Sequence, residues 1–111
     1  MRAGEVVRID FGVPAGSAPG FERPAVVVTA DLVLRARPRT VHVVPLTGNV
    51  RRDLPTEVLV VADGLDQPSV AQCHLCTVVS TARIVEDDLG TIGPTALAQV
   101  RSLLADLLDI G

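Results

Sequence analysis

Lysine, tryptophan and tyrosine are absent from this sequence. All ten basic side chains are arginine, set against thirteen acidic ones, for a formal net charge of −3. A general nucleic-acid coat would be basic, so that class is excluded, while a small, locally positive RNA site is not. Phe11 and Phe21 are the whole aromatic complement, which leaves little for stacking bases on aromatic platforms. No apolar run approaches the about 20 residues a membrane span needs. The opening Met1-Arg2-Ala3-Gly4-Glu5 lacks the apolar stretch of a secretory signal, and the expected location is the cytoplasm. Cysteine is limited to Cys73 and Cys76, with His74 between them. In an extended strand three steps separate their Cα atoms by about 10 Å. A disulfide tolerates about 7 Å at most, and the two side chains would point to opposite faces. The expectation is two small buried hydrophobes, with no metal and no cofactor.

What is present is an apolar chain. Some 48% of the 111 residues are hydrophobic, enough for one domain with a single core and too much for disorder. Glu5–Phe11 reads as a half-buried first strand. A glycine loop follows from Gly12 to Glu22, with Gly16 and Gly20 free to adopt positive φ and Pro19 stiffening the stretch between them. Pro24 then holds Arg23 in an extended conformation at the mouth of a second strand, Ala25–Thr29. Asp31–Ala36 reads as a short helical turn capped by Asp31. Arg35, Arg37 and Arg39 stud the loop after it, as a solvated turn or as phosphate contacts. Thr40–Leu46 is a continuous apolar strand, central in a sheet, ending in the turn chemistry of Pro45-Leu46-Thr47-Gly48-Asn49. Arg51-Arg52-Asp53-Leu54-Pro55 leads to a fourth strand, Thr56–Val61. A fifth runs from Ser69 to about Cys76, with Thr77–Thr81 continuing or kinking it. Arg83–Leu89 is ambiguous, with a short helical turn as one reading. A terminal helix starts with Gly93 as cap and Pro94 in the first position. Its apolar stripe is Leu97, Val100, Leu103, Leu104, Leu107 and Leu108. The fold class is mainly β with a C-terminal helix, an α+β chain built as a small antiparallel barrel.

The residues resemble the MazF/PemK/Kid family of toxin endoribonucleases from about Gly4 to Ile110. The likeness rests on motifs in one order. Gly4-Glu5-Val6 with Asp10 resembles the opening strand, and Gly16-Ser17 through Arg23-Pro24-Ala25-Val26-Val27-Val28 the glycine loop and "RPALVV" strand. Pro45-Leu46-Thr47-Gly48-Asn49 resembles "PLTSN", and Leu54-Pro55-Thr56-Glu57-Val58 resembles "PTEV". Gly64-Leu65 with Ser69-Val70 resembles "GL…SVV", and Ile92-Gly93-Pro94 with Leu97 the "LSPEEL" helix start. The resemblance implies an SH3-like barrel that forms a homodimer. It implies metal-independent, sequence-preferring cleavage of single-stranded RNA, and inhibition by a cognate antitoxin. The family's most consistent active-site residues fall on Arg23 and Thr47, with Ser17 and Asn49 near the same site as RNA contacts. The chemistry suits them. RNA is cut when its own 2′-hydroxyl attacks the adjacent phosphate, leaving a 5′-hydroxyl end. Arginine stays charged at any working pH and matches phosphate oxygens, so Arg23 stabilises the charged transition state. The Thr47 hydroxyl holds a phosphate oxygen or orients the 2′-hydroxyl.

The chain departs from the family where "DQIRT" or "EQIRT" follows "SVV". That stretch falls on His74-Leu75-Cys76-Thr77-Val78, so the acid has become histidine, the glutamine leucine and the arginine threonine. His74 reads either as a half-exposed histidine bonded to backbone or as the general base in place of the carboxylate. His42 lies in an apolar strand and reads as structural or interfacial. Two other functions stay open: a protein-targeting poison on the same barrel, like the CcdB-type proteins, and a degenerate member that binds RNA or antitoxin without cutting.

Overall fold

The computed structural model describes residues 1–18, 20–51 and 54–111. Pro19 of the glycine loop and Arg52 and Asp53 of the approach to the fourth strand lie outside the described residues. In chain order the elements are β1 (Val6–Asp10), β2 (Glu22–Val27), a one-turn helix α1 (Asp31–Leu34), β3 (Thr40–Thr47), β4 (Glu57–Val60), β5 (Ser69–Gln72), β6 (Thr77–Ser80), β7 (Ile84–Glu86) and α2 (Gly93–Leu107). Short 3-10 turns at Cys73–Leu75 and Thr81–Arg83 separate β5 from β6 and β6 from β7. Every strand pairing is antiparallel, in the order β4-β5-β3-β2-β1-β7, with β6 added on β3. This is the expected antiparallel β architecture with a C-terminal helix. The sheet is not closed, since β4 and β7 end the strand order among the described residues.

β3 is the organising strand, as its unbroken apolar run predicts. One edge carries β2 through Val43, Val44 and Pro45. The other carries β6 along Thr40–Val43 and then β5 at Leu46 and Thr47. The fifth strand is therefore two strands. Cys73–Leu75 loops out between them, and the register on β3 slips by those residues.

Alternation along the strands splits the apolar side chains between two faces. Val6, Val26, Val44 and Leu46 form one, covered by α2 through the fully buried Val100 and by Ala96, Leu97, Leu103 and Leu104. Val7, Ile9, Ala25, Val27, Val41 and Val43 form the other, closed by Leu34, Phe11 and Ile84. Each fully buried valine contributes roughly 1.5 kcal/mol or more. Two valine-rich faces, rather than the one-turn α1, therefore carry the fold.

Three local expectations change. The ambiguous stretch Arg83–Leu89 is not a helical turn: Arg83 ends a 3-10 turn, and Ile84–Glu86 is β7, which pairs with β1. Asp31 does not cap α1. Ala30 holds the cap position, and the Asp31 carboxylate accepts the Ala3 N–H at 2.8 Å, tethering the N-terminal segment. At α2, Ile92 takes the cap position and Gly93 enters at φ +85°, its N–H donating to the Thr91 hydroxyl at 3.1 Å.

Candidate active site

Sheet register assembles the site. Ala25 of β2 stands opposite Pro45 of β3. Two further steps along each strand reach Arg23 and Thr47, so both side chains lie on the face that carries Ala25 and Val43. Thr47 in turn stands opposite Val70 of β5, which puts Gln72 on the same face. Gln72 stands opposite Glu57 of β4, adding a carboxylate to it. Cross-strand neighbours of this kind hold their Cβ atoms about 5 Å apart. The side-chain contacts agree: Arg23 Nη2 donates to Gln72 Oε1 at 2.5 Å and to the Leu46 carbonyl at 3.0 Å. Arg23 is half-buried, with its charge held at the sheet surface rather than extended into solvent.

The turn after β3 prepares the Thr47 hydroxyl. The Asn49 backbone N–H donates to Thr47 Oγ1 at 3.3 Å. With that oxygen accepting, the hydroxyl proton is directed elsewhere and can serve a phosphate oxygen. Asn49 itself is exposed in this turn. Ser17 is exposed at the tip of the β1–β2 loop, where Gly16 has φ +60° and Ala18 N–H closes a turn onto the Ala15 carbonyl. The neck of this loop is fastened by backbone bonds between Phe11 and Phe21 and between Phe21 and Gly12. The loop thus springs from the strand end that carries Arg23.

The other sequence candidates lie elsewhere. Arg35, Arg37 and Arg39 precede Thr40, at the opposite end of β3 from Thr47. Seven strand steps separate those ends by about 23 Å, so this basic loop is no part of the Arg23–Thr47 constellation. His74 sits in the 3-10 turn and opens on a cavity of about 680 Å³ that His42, Cys73, Cys76, Leu104, Leu107 and Leu108 also line. The two cysteines are not on opposite faces. The turn brings them to one cavity wall, with Cys76 N–H on the Cys73 carbonyl at 3.1 Å. Both are free thiols packed with the α2-side core. Burial pushes the Cys73 thiol up to about 11, with further contributions from Cys76 and Glu57 nearby, and burial raises the Cys76 thiol too. Among the described residues no three His, Cys, Asp or Glu side chains gather to hold a metal. None of the described helices is long and apolar enough to cross a membrane.

A family profile described as "PemK-like, MazF-like toxin of type II toxin-antitoxin system" matches residues 2–108. The chain belongs to the PemK/MazF family. It is 32% identical over 116 residues to "Endoribonuclease MazF9" of Mycobacterium tuberculosis, covering 99% of this chain and 98% of that one. Among solved structures, a MazF from Deinococcus radiodurans superposes with a TM-score of 0.83 at 25% identity, covering 99% of this chain and 97% of that one. The Mycobacterium tuberculosis toxin MazF-mt6 gives 0.76 at 23% identity, covering 96% and 98%. A MazE–MazF complex from Deinococcus radiodurans gives 0.77 at 23% identity, covering 100% and 97%. These structures share the fold of the PemK/MazF chain described above.

Sequence reading missed Gln72. It sits in an apolar run, Ser69-Val70-Ala71-Gln72-Cys73, and is only 6% exposed. The available signal was the polar residue itself: a glutamine inside a buried strand must find a hydrogen-bond partner.

Proposed function

We propose that this chain is the toxin of a type II toxin–antitoxin pair and acts as an endoribonuclease on single-stranded RNA. The observation that carries the reading is the placement of Arg23 and Thr47 on one sheet face, with Arg23 fixed by Gln72 and the Leu46 carbonyl. The naming of the MazF9 relative as an endoribonuclease supports it. The 2′-hydroxyl attacks the scissile phosphate, and a cyclic phosphate and a 5′-hydroxyl end result. The Arg23 guanidinium, already oriented, meets the charge that develops on the phosphorane. The Thr47 hydroxyl donates to a phosphate oxygen. The charge is supplied by protein, so cleavage proceeds in EDTA. Ser17 and Asn49 contact RNA at the rim. Arg35, Arg37 and Arg39 reach only an RNA that continues along the sheet by about 23 Å.

His74 as proton acceptor draws little support from its position on the cavity beneath α2. His74→Ala tests it: an unchanged cleavage rate removes the assignment, and the Glu57 carboxylate opposite Gln72 is then the next to replace.

The partners in this reading are an antitoxin and a second copy of the chain, all in the cytoplasm. A solved mycobacterial endoribonuclease with the same fold is in complex with its cognate antitoxin. For the second copy the support is an apolar end: Val78, Leu107, Leu108 and Ile110 are all exposed, and the first three line the cavity beneath α2.

The test is sequencing of 5′ ends after brief expression, wild type beside Arg23→Ala. New 5′-hydroxyl ends at a shared short motif, absent in the mutant, are expected. Growth arrest without new ends would point to a protein-targeting poison. Neither ends nor arrest would point to a member that binds without cutting.

A further inference from the structure

We propose that Gln72 is a positioning residue for Arg23, acting on RNA only through the guanidinium it holds; the inference rests on the endoribonuclease reading above. Gln72 is nearly buried between the core residues Ala71 and Cys73, and nothing about strand packing asks for an amide there. Its Oε1 accepts from Arg23 Nη2 at 2.5 Å. The same nitrogen donates to the Leu46 carbonyl at 3.0 Å. A guanidinium Nη carries two hydrogens, so these acceptors commit Nη2 fully and fix the plane of the group. The anchors come from two different strands, β3 and β5, so the plane is tied to the sheet rather than to one flexible side chain.

The choice of glutamine has a chemical reason. The acceptor is neutral, so Gln72 orients the guanidinium without itself adding a charge beside it. A glutamate at this position would accept from the same Nη2, but would pair its charge with the arginine and place a negative group close to the anionic substrate. A methionine would match the length and flexibility and offer no comparable acceptor. The two substitutions therefore separate orientation from charge. A cation misplaced by about 1 Å costs on the order of a hundredfold in rate.

The experiment measures kcat and KM on a single-stranded RNA oligonucleotide for wild type, Gln72→Met, Gln72→Glu, Arg23→Ala and the double variant Arg23→Ala/Gln72→Met, with thermal melts of each. Gln72→Met is expected to lower kcat by about a hundredfold with KM nearly unchanged. In the Arg23→Ala background the same change has no further effect. Gln72→Glu keeps the orientation but pairs the charge, so it is expected to lower kcat less than Gln72→Met does and to raise KM, more so at low salt. Wild-type kcat in Gln72→Met, or the same loss with and without Arg23, would overturn the proposal. If the methionine variant fails to fold, Gln72→Glu decides: kcat as low as that of Arg23→Ala sinks the idea. The Arg23 Nε–H resonance in NMR reports the anchoring apart from any cleavage. A slowly rotating guanidinium in wild type, averaged in Gln72→Met, is expected, and averaging already in wild type contradicts it. Wild type that leaves RNA intact while the resonance behaves as expected instead removes the endoribonuclease reading.

Discussion

A single arginine on a strand end is ordinarily a solvated side chain, and Arg23 departs from that because buried partners face it. Leu46 offers a carbonyl and Gln72 an amide oxygen, both reached by one nitrogen. Arg23 and Thr47 were legible in the sequence through a family likeness, since each stands in a short motif. Gln72 was not legible, because motif reading passes over a polar residue in an apolar strand unless burial is known. The cysteines were misplaced for a related reason: the expected extended strand hid the turn that brings both to one wall. Their thiols carry a prediction. Cys73 has an ordinary value of 9.0 and is raised to about 11 in the fold. The folded state therefore resists ionisation, and the stability this protects is complete below pH 9 and lost as pH rises toward 11. Urea denaturation midpoints are expected to fall between pH 9 and pH 11 in wild type and to fall less in Cys73→Ala. An equal fall in both would contradict the assignment to Cys73.

The elements bring the candidate residues together by register rather than by loop placement. β2, β3, β5 and β4 each contribute one side chain to the same face, and a slip of one residue in any pairing would turn its contribution to the opposite face. The sequence supported the strands well where apolar runs were long, as in β3. Composition predicts β5 running on into β6, continued or kinked, because nothing in Cys73-His74-Leu75 marks a turn: no glycine, proline or asparagine is present. β7 was obscured by its acidic flank. Its pairing with β1 is a tertiary effect that the segment's own composition does not encode. At the edge of the sheet a close approach gives a stability prediction. Gly64 N–H donates to the Leu89 carbonyl at 2.9 Å, and a Cβ on Gly64 would stand 2.5 Å from the Leu89 Cα. Backbone cannot step aside cheaply, so Gly64→Ala is expected to destabilise the fold by about 1–3 kcal/mol. A melting temperature unchanged within a degree would show that the two segments separate freely.

Across the whole molecule, charge is distributed unevenly for a chain with a net −3. Arg23 and the Arg35–Arg39 loop mark opposite ends of β3. The apolar surface is uneven as well. The spacing of the α2 stripe predicts packing on the sheet, and its first part, through Leu104, packs there. Past Leu104 it leaves the core: Leu107 is 43% exposed and Leu108 66%. Spacing identifies a stripe but not how far the sheet extends beneath it. If the second copy covers this end, Leu108→Glu is expected to convert the dimer to a monomer in sedimentation equilibrium with little change in melting of the monomeric fold. A dimer of unchanged affinity would move the interface elsewhere.

If Arg23 on this sheet face organises RNA cleavage, its removal must show in the products. The most direct measurement incubates purified wild type and Arg23→Ala with a defined single-stranded RNA pool in EDTA and identifies the product ends. Wild type is expected to give 5′-hydroxyl products at a common short sequence, with Arg23→Ala slower by about a hundredfold or more. Intact RNA with wild type, or equal cleavage by both proteins, would rule out Arg23-dependent cleavage by this chain.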